Sequence, residues 1–240
     1  MKSLTLKVAV SILAFAGLLH ADDFDYLVTV SGIAEVNERP DRAYVTLYAE
    51  AEEGTVTYAI KKVDDRVEDI EERIKKDARI RGDILVVDTA FSGEVDSKDD
   101  SVLFQAARRL RITCNPDPDE IYDVIDAGVK AGALVEVPSC MNASVKVKGL
   151  VVYGVEKSKY TIDDLRKAAI ADARAEAEKV VKLVGKTVGD VVRISADSPD
   201  SLGTDTDLPT KFVDTNPDQI TMSYTVSVSY ELKDLEIPAE

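Results

Sequence analysis

The chain has 240 residues, with 45 acidic and 30 basic side chains, one histidine, two cysteines, no tryptophan and a formal charge of −15. A surface this acidic repels nucleic-acid phosphates and anionic lipid headgroups, which removes both from the expected partners. The one histidine, His20, lies in an N-terminal apolar segment, so the remainder of the chain has no residue for a Ser-His-Asp or Cys-His mechanism or for an HExxH zinc site.

Lys2 and Lys7 lead into an apolar run from Val8 to Leu19, followed by Ala21 and the acidic pair Asp22-Asp23. A positive start, an apolar middle and a small residue before a polar stretch make a secretory signal peptide. The run is shorter than the roughly 20 apolar residues that span a bilayer. Residues 1–21 are expected to be cleaved after Ala21, taking away Lys2 and Lys7 and no acid, which moves the formal charge from −15 to −17. No lipobox cysteine is present. The expected product is an exported, non-lipidated protein of the periplasm or cell envelope with no transmembrane segment.

The first two elements alternate as half-buried strands do, Val28, Val30, Ala34 and Val36 sharing one face and Ala43, Val45, Leu47 and Ala49 another. Residues 37–41, with Pro40 fixing the backbone, read as a turn joining them into a hairpin. After Gly54 the period becomes helical, with Ile60, Val63, Val67, Ile70, Ile74 and Ala78 on one stripe and a stop near Arg81-Gly82. Strands follow at 84–94 and 103–114. Asp117-Pro118-Asp119-Glu120 opens a second helix as N-cap, proline and acidic first turn, with Ile121, Val124, Ile125 and Val129 facing inward. A long strand is expected over 134–152, interrupted at Pro138. Thr161 to Asp164 cap a third helix with the stripe Ile162, Leu165, Ala169, Ala173, Ala177, Val180 and Val184, and strands at 191–196 and 220–232 complete the chain. This order predicts an α+β fold of largely antiparallel sheets covered by three main helices. Two subdomains are an open option, a ββαββ unit over 22–115 and an αβαββ unit over 116–240.

Two stretches go beyond generic pattern. Val28-Thr29-Val30-Ser31-Gly32 leads through Ala34-Glu35-Val36 to Pro40-Asp41-Arg42-Ala43-Tyr44-Val45-Thr46-Leu47, and Ala168 to Lys179 continues through Leu183-Val184-Gly185-Lys186-Thr187-Val188-Gly189-Asp190-Val191. In order and spacing these resemble the SIMPL-domain family of exported bacterial proteins, which includes periplasmic immunogenic antigens. The resemblance implies one SIMPL-type domain of α+β architecture in the periplasm or envelope, in some members assembled into rings and linked to oxidative-stress tolerance. It implies no catalytic residue to carry over, and it places 197–219 among the variable segments. Gly32, Pro40 and Asp41 are read as structural, glycine for close approach and Pro-Asp for the turn.

The remaining candidates are few. Cys114 and Cys140 permit one disulfide in an exported chain, against the alternative of two free thiols, and their spacing fits neither zinc nor a redox CxxC. Arg109 and Arg111 share the strand face opposite Leu110 and Ile112, where they are candidates for a subunit interface, an anionic ligand or cross-strand pairing within the chain. Paired acids such as Asp163-Asp164 and Glu52-Glu53 read as caps and solvated surface. The acidic stretch from Asp197 to Gln219 offers oxygens for calcium but lacks EF-hand spacing, so a solvated loop is the simpler reading. No catalytic residue, cofactor or metal is expected. The leading expectation is a non-enzymatic envelope protein acting through homo-oligomeric assembly or binding. A stress-defence factor or carboxylate/thiol enzyme and a calcium-dependent surface module are the alternatives.

Overall fold

The structure is a computed structural model that describes residues 27–78, 80, 82–95, 102–141, 149–196, 208 and 212–234. The expected leader at 1–21 lies outside these residues. The elements are β1 (Leu27–Glu38), β2 (Arg42–Glu53), α1 (Val56–Asp77), β3 (Ile84–Val95), β4 (Val102–Cys114), α2 (Pro118–Lys130), β5 (Val151–Gly154), α3 (Ile162–Leu183), β6 (Lys186–Ala196), β7 (Val213–Asp214) and β8 (Ile220–Asp234). They form one three-stranded sheet, β1-β8-β6, and one five-stranded sheet, β3-β4-β2-β5-β7. The fold class is α+β, as the element order predicts.

The described chain falls into two compact units. Residues 38–157 and 212–220 with Leu208 form one, and residues 27–37, 158–196 and 221–234 form the other. The division therefore does not fall at 115/116: the chain passes between units several times, and β1 joins elements from the far end of the sequence.

In the unit built on the five-stranded sheet, β2 pairs antiparallel with β4 along its length and with β5 over Arg42 to Val45. Its remaining edge bonds reach Leu150 and Leu134, the latter through reciprocal 2.9 and 2.7 Å bonds with Tyr48. Both edges of β2 are thus occupied, which is why the expected β1–β2 hairpin does not form. Period-two alternation sends Val45, Leu47 and Ala49 of β2 and Leu110, Ile112 and Cys114 of β4 to one face. There they meet Val63, Ile70 and Ile74 of α1 and Ile121, Val124 and Ala127 of α2. Thr55 caps α1 by accepting from the Tyr58 amide, and Asp117 caps α2 in the same way from Asp119. The expected last-turn residue Val129 is exposed, and Ala127 and Gly128 take its place. Gly128 lets α2 approach, since a Cβ there would stand 2.4 Å from Leu47 Cδ1.

The long strand expected over 134–152 is not continuous. Leu134 makes an isolated bridge, the Met141 amide closes a turn onto Pro138 O at 3.0 Å, and among the described residues regular pairing is found at β5. Within the stretch read as an acidic loop, β7 pairs with β5, and Val213 is buried with Tyr44 and Val152. That part of the segment is packed rather than solvated.

In the other unit α3 lies on the three-stranded sheet. Met222, Tyr224, Val226, Val228 and Tyr230 of β8 alternate inward, and Leu165, Ala169, Ala173, Ala177 and Val181 form the buried stripe of α3. Steps of four hold to Val181, so Val180 and Val184, expected inside, are exposed.

Candidate functional site

Strand β4 sorts its three arginines between the two faces of the five-stranded sheet. Arg108 shares the helix-covered face and places Nε and Nη2 at 3.1 and 2.9 Å from Asp64 Oδ1 of α1. Arg109 and Arg111 lie on the opposite face, across from Tyr48 and Thr46 of β2. The strand parity expected for them therefore holds, but they are not a free outward stripe. Arg109 is 4 % exposed, and Nε and Nη1 of Arg111 are withdrawn from water. The cause is a second cover that the strand pattern does not announce. Residues 138–141 reach this face, where Met141 is buried with Tyr48 and Ala107 and Ser139 Oγ donates to Gln105 Oε1 at 3.0 Å. Arg109 is thus an interior side chain of its own unit, which corrects its reading as an exposed subunit-contact residue.

At the end of the same face a polar corner closes around Asp41. Its carboxylate accepts from the Glu156 and Lys157 amides at 2.8 and 2.9 Å, while its own amide donates to Gly154 O at 3.0 Å. Glu156 in turn accepts the Tyr44 hydroxyl at 3.0 Å and meets Arg42 Nε at 3.0 Å. Burial first, and then the hydrogen bond to Glu156, push the Tyr44 phenol well above its ordinary range, so it remains a protonated donor. Asp41 thereby fastens a segment more than a hundred residues away. Pro40-Asp41, read as the turn of a hairpin, instead lies where the Asp41 carboxylate anchors the 156–157 backbone.

Gly32 performs the corresponding service in the other unit. A Cβ at this position would lie 2.0 Å from Ala169 O and 2.7 Å from Ala173 Cβ. The next residue, Ile33, donates its amide to Asp172 Oδ2 of α3 at 3.0 Å. The two stretches that carry the family resemblance therefore meet, small residue against small residue, with an aspartate fixing the register.

A family model described as SIMPL, protein of unknown function (DUF541), matches residues 28–230. The chain belongs to the SIMPL family. The matched span includes both the Gly32–Asp172 contact region and the Asp41–Glu156 corner of this SIMPL chain. No curated protein matches it at a significant level.

The two cysteines of the SIMPL chain are free thiols, the alternative to the disulfide that the sequence also permits. Cys114 belongs to the core beneath α1 and α2, whereas Cys140 packs beside Tyr48, Ala107 and Met141 on the other face of the sheet. The sheet itself separates them. Burial pushes the Cys114 thiol up to about 12, and burial also raises Cys140, so neither is a ready nucleophile. Among the described residues no three His, Cys, Asp or Glu side chains converge as metal ligands, and most of the acidic stretch proposed for calcium lies outside them. No described helix is long and apolar enough to cross a membrane. Sequence reasoning missed Tyr44, Glu156 and Asp172. Asp172 stood inside the quoted alanine-rich stretch, and its acidic character among small residues was the one available signal.

Proposed function

We propose that the chain is a non-enzymatic protein of the bacterial periplasm or cell envelope, exported by residues 1–21, that works by assembling with further copies of itself. The observation that carries this reading is β6. It is the last strand of its sheet, and among the described residues its outer edge meets no other strand. Val192 and Ile194 on it are 52 % and 50 % exposed, and Leu183 at the neighbouring end of α3 is 86 % exposed. A lone subunit usually protects an edge strand with charge, proline or a covering loop. The segment 191–196 carries no proline and one charge, Arg193, so its protection rests on two register shifts against β8. An extended strand of a second copy laid on this edge would hydrogen-bond the backbone and cover the valine and isoleucine side chains. Burial that keeps both thiols protonated favours assembly over thiol chemistry. The double change Val192→Lys with Ile194→Lys tests it: the solution mass should fall to that of one chain while the melting temperature stays near wild type. An unchanged mass in a folded variant would rule out this edge.

A further inference from the structure

We propose that Arg111 is the binding group of an oxyanion site on the face of the five-stranded sheet opposite α1 and α2, a site independent of the β6 edge. Arg111 sits mid-strand, with Thr46 across from it on β2 and Leu85 on β3. Its Nε and Nη1 are out of water and have no hydrogen-bond partner. Among the described residues no carboxylate bonds it. Glu156 is shared by Arg42 and Tyr44, Asp64 lies on the helix-covered face with Arg108, and Asp88, across from Arg109, accepts from the Thr89 amide. Two guanidinium nitrogens withdrawn from water with unmet donors are costly to keep unless something supplies the acceptors.

The surroundings define what that something is. Thr46 and Thr113 bring hydroxyls to this face by register. Leu85 is 44 % exposed, which leaves the β3 side open to solvent. Planar guanidinium donors flanked by hydroxyls suit the oxygens of a carboxylate or phosphate, whose charge-assisted hydrogen bonds are roughly twice as strong as those to a neutral acceptor. The strongly acidic character of the whole chain opposes anions at long range, so the site selects a small oxyanion that can leave its water at the sheet surface.

The test uses the full chain, with inorganic phosphate and acetate titrated separately against sodium chloride of equal ionic strength, and the variant Arg111→Met. The expected result is a wild-type melting temperature raised by about 2–4 °C by phosphate or acetate above the chloride control. Arg111→Met should show no such rise, and in chloride it should melt no lower than wild type, since it removes a cation that lacks acceptors. The stronger of the two anions identifies the oxyanion class. The proposal is overturned if wild type does not respond to either anion, or if Arg111→Met responds equally. It is also overturned if Arg111→Met fails to fold, which would mean the guanidinium has an internal partner. A response that appears only as protein concentration rises would assign the acceptor to a second copy and overturn the small-ligand site.

Discussion

Gly32 of β1 and Ala173 of α3 stand so close that a Cβ on the glycine would come within 2.4 Å of the Ala173 backbone nitrogen. Backbone cannot give way as a flexible side chain can, so the contact admits no larger residue without moving the helix. Gly32→Ala is expected to cost about 3 kcal/mol, the upper part of the range for overpacking, measured as a lowered urea midpoint with an unchanged slope. Ala173→Gly should be milder, at about 1 kcal/mol for glycine in a helix interior.

Asp172 and Asp41 do for the backbone what Gly32 does for packing. Each accepts an amide from a residue remote in sequence, Asp172 from Ile33 and Asp41 from Glu156 and Lys157. Replacing either by alanine should cost about 1.5–3 kcal/mol, the scale for hydrogen bonds to charged groups. Asp41→Ala is expected to be the more severe because it strands two amides, a difference that equilibrium unfolding of the two variants will resolve.

These contacts also mark the limit of what the sequence discloses. The stripe Val63, Val67, Ile70 and Ile74 and the alternation of β8 were readable because burial imposes their periods directly. The last turns of α2 and α3 mislead, because Val129, Val180 and Val184 are apolar yet exposed, while Ala127 and Gly128 of α2 and Val181 of α3 turn inward instead. The hairpin misleads because alternation shows which face of a strand is inward but not which edge is taken, and β2 spends both edges on β4, β5 and the backbone of Leu134 and Leu150. The partners of Asp41 and Asp172 lie 115 to 139 residues away, a separation over which local pattern carries no information. Strand parity gives Arg109 and Arg111 their face, but nothing local shows that residues 138–141 cover part of it.

Charge reversal at the two arginines should therefore act on folding. Arg109→Glu combined with Arg111→Glu places a carboxylate at a position where only 4 % of Arg109 is exposed. Loss of about 3–5 kcal/mol or more is expected, as for an unpaired buried charge, seen as a collapse of the thermal transition. A variant that melts like wild type and differs only in mass would return these residues to a subunit interface.

Alkaline pH should destabilise the fold in a defined order. Cys114 has an ordinary value of 9.0 and is pushed up to about 12 by burial and by the nearby Glu120. Below pH 9 the thiol is protonated in both states and contributes no pH dependence. Between about 9 and 12 the unfolded chain has lost the proton that the folded chain retains, so stability falls as pH rises, by up to about 1.4 kcal/mol per pH unit from this group. Tyr44, also raised from its ordinary 10.0, adds to the fall above that value. In Cys114→Ala the decline above pH 9 should be shallower but not abolished, because Cys140, which burial also raises, still titrates there and Tyr44 follows, a change of slope that denaturant midpoints taken across this window will show.

Val213 gives the acidic segment its structural foothold, buried beside Tyr44 and Val152. Val213→Asp should destabilise by about 3 kcal/mol because it buries a charge without a partner, whereas Asp214→Ser at the neighbouring, less buried position should be within about 0.5 kcal/mol of wild type. Comparison of the two melting curves separates a packed strand from a solvated loop.

Self-assembly is the central claim, and sedimentation velocity of the wild-type exported chain at micromolar concentration, run at low and moderate salt, tests it most directly. A discrete species of several chains is expected at both salts, held or strengthened at the higher one, because the β6 edge is apolar and salt screens repulsion between subunits of like net charge. A single sedimenting species with the mass of one chain under both conditions would contradict it.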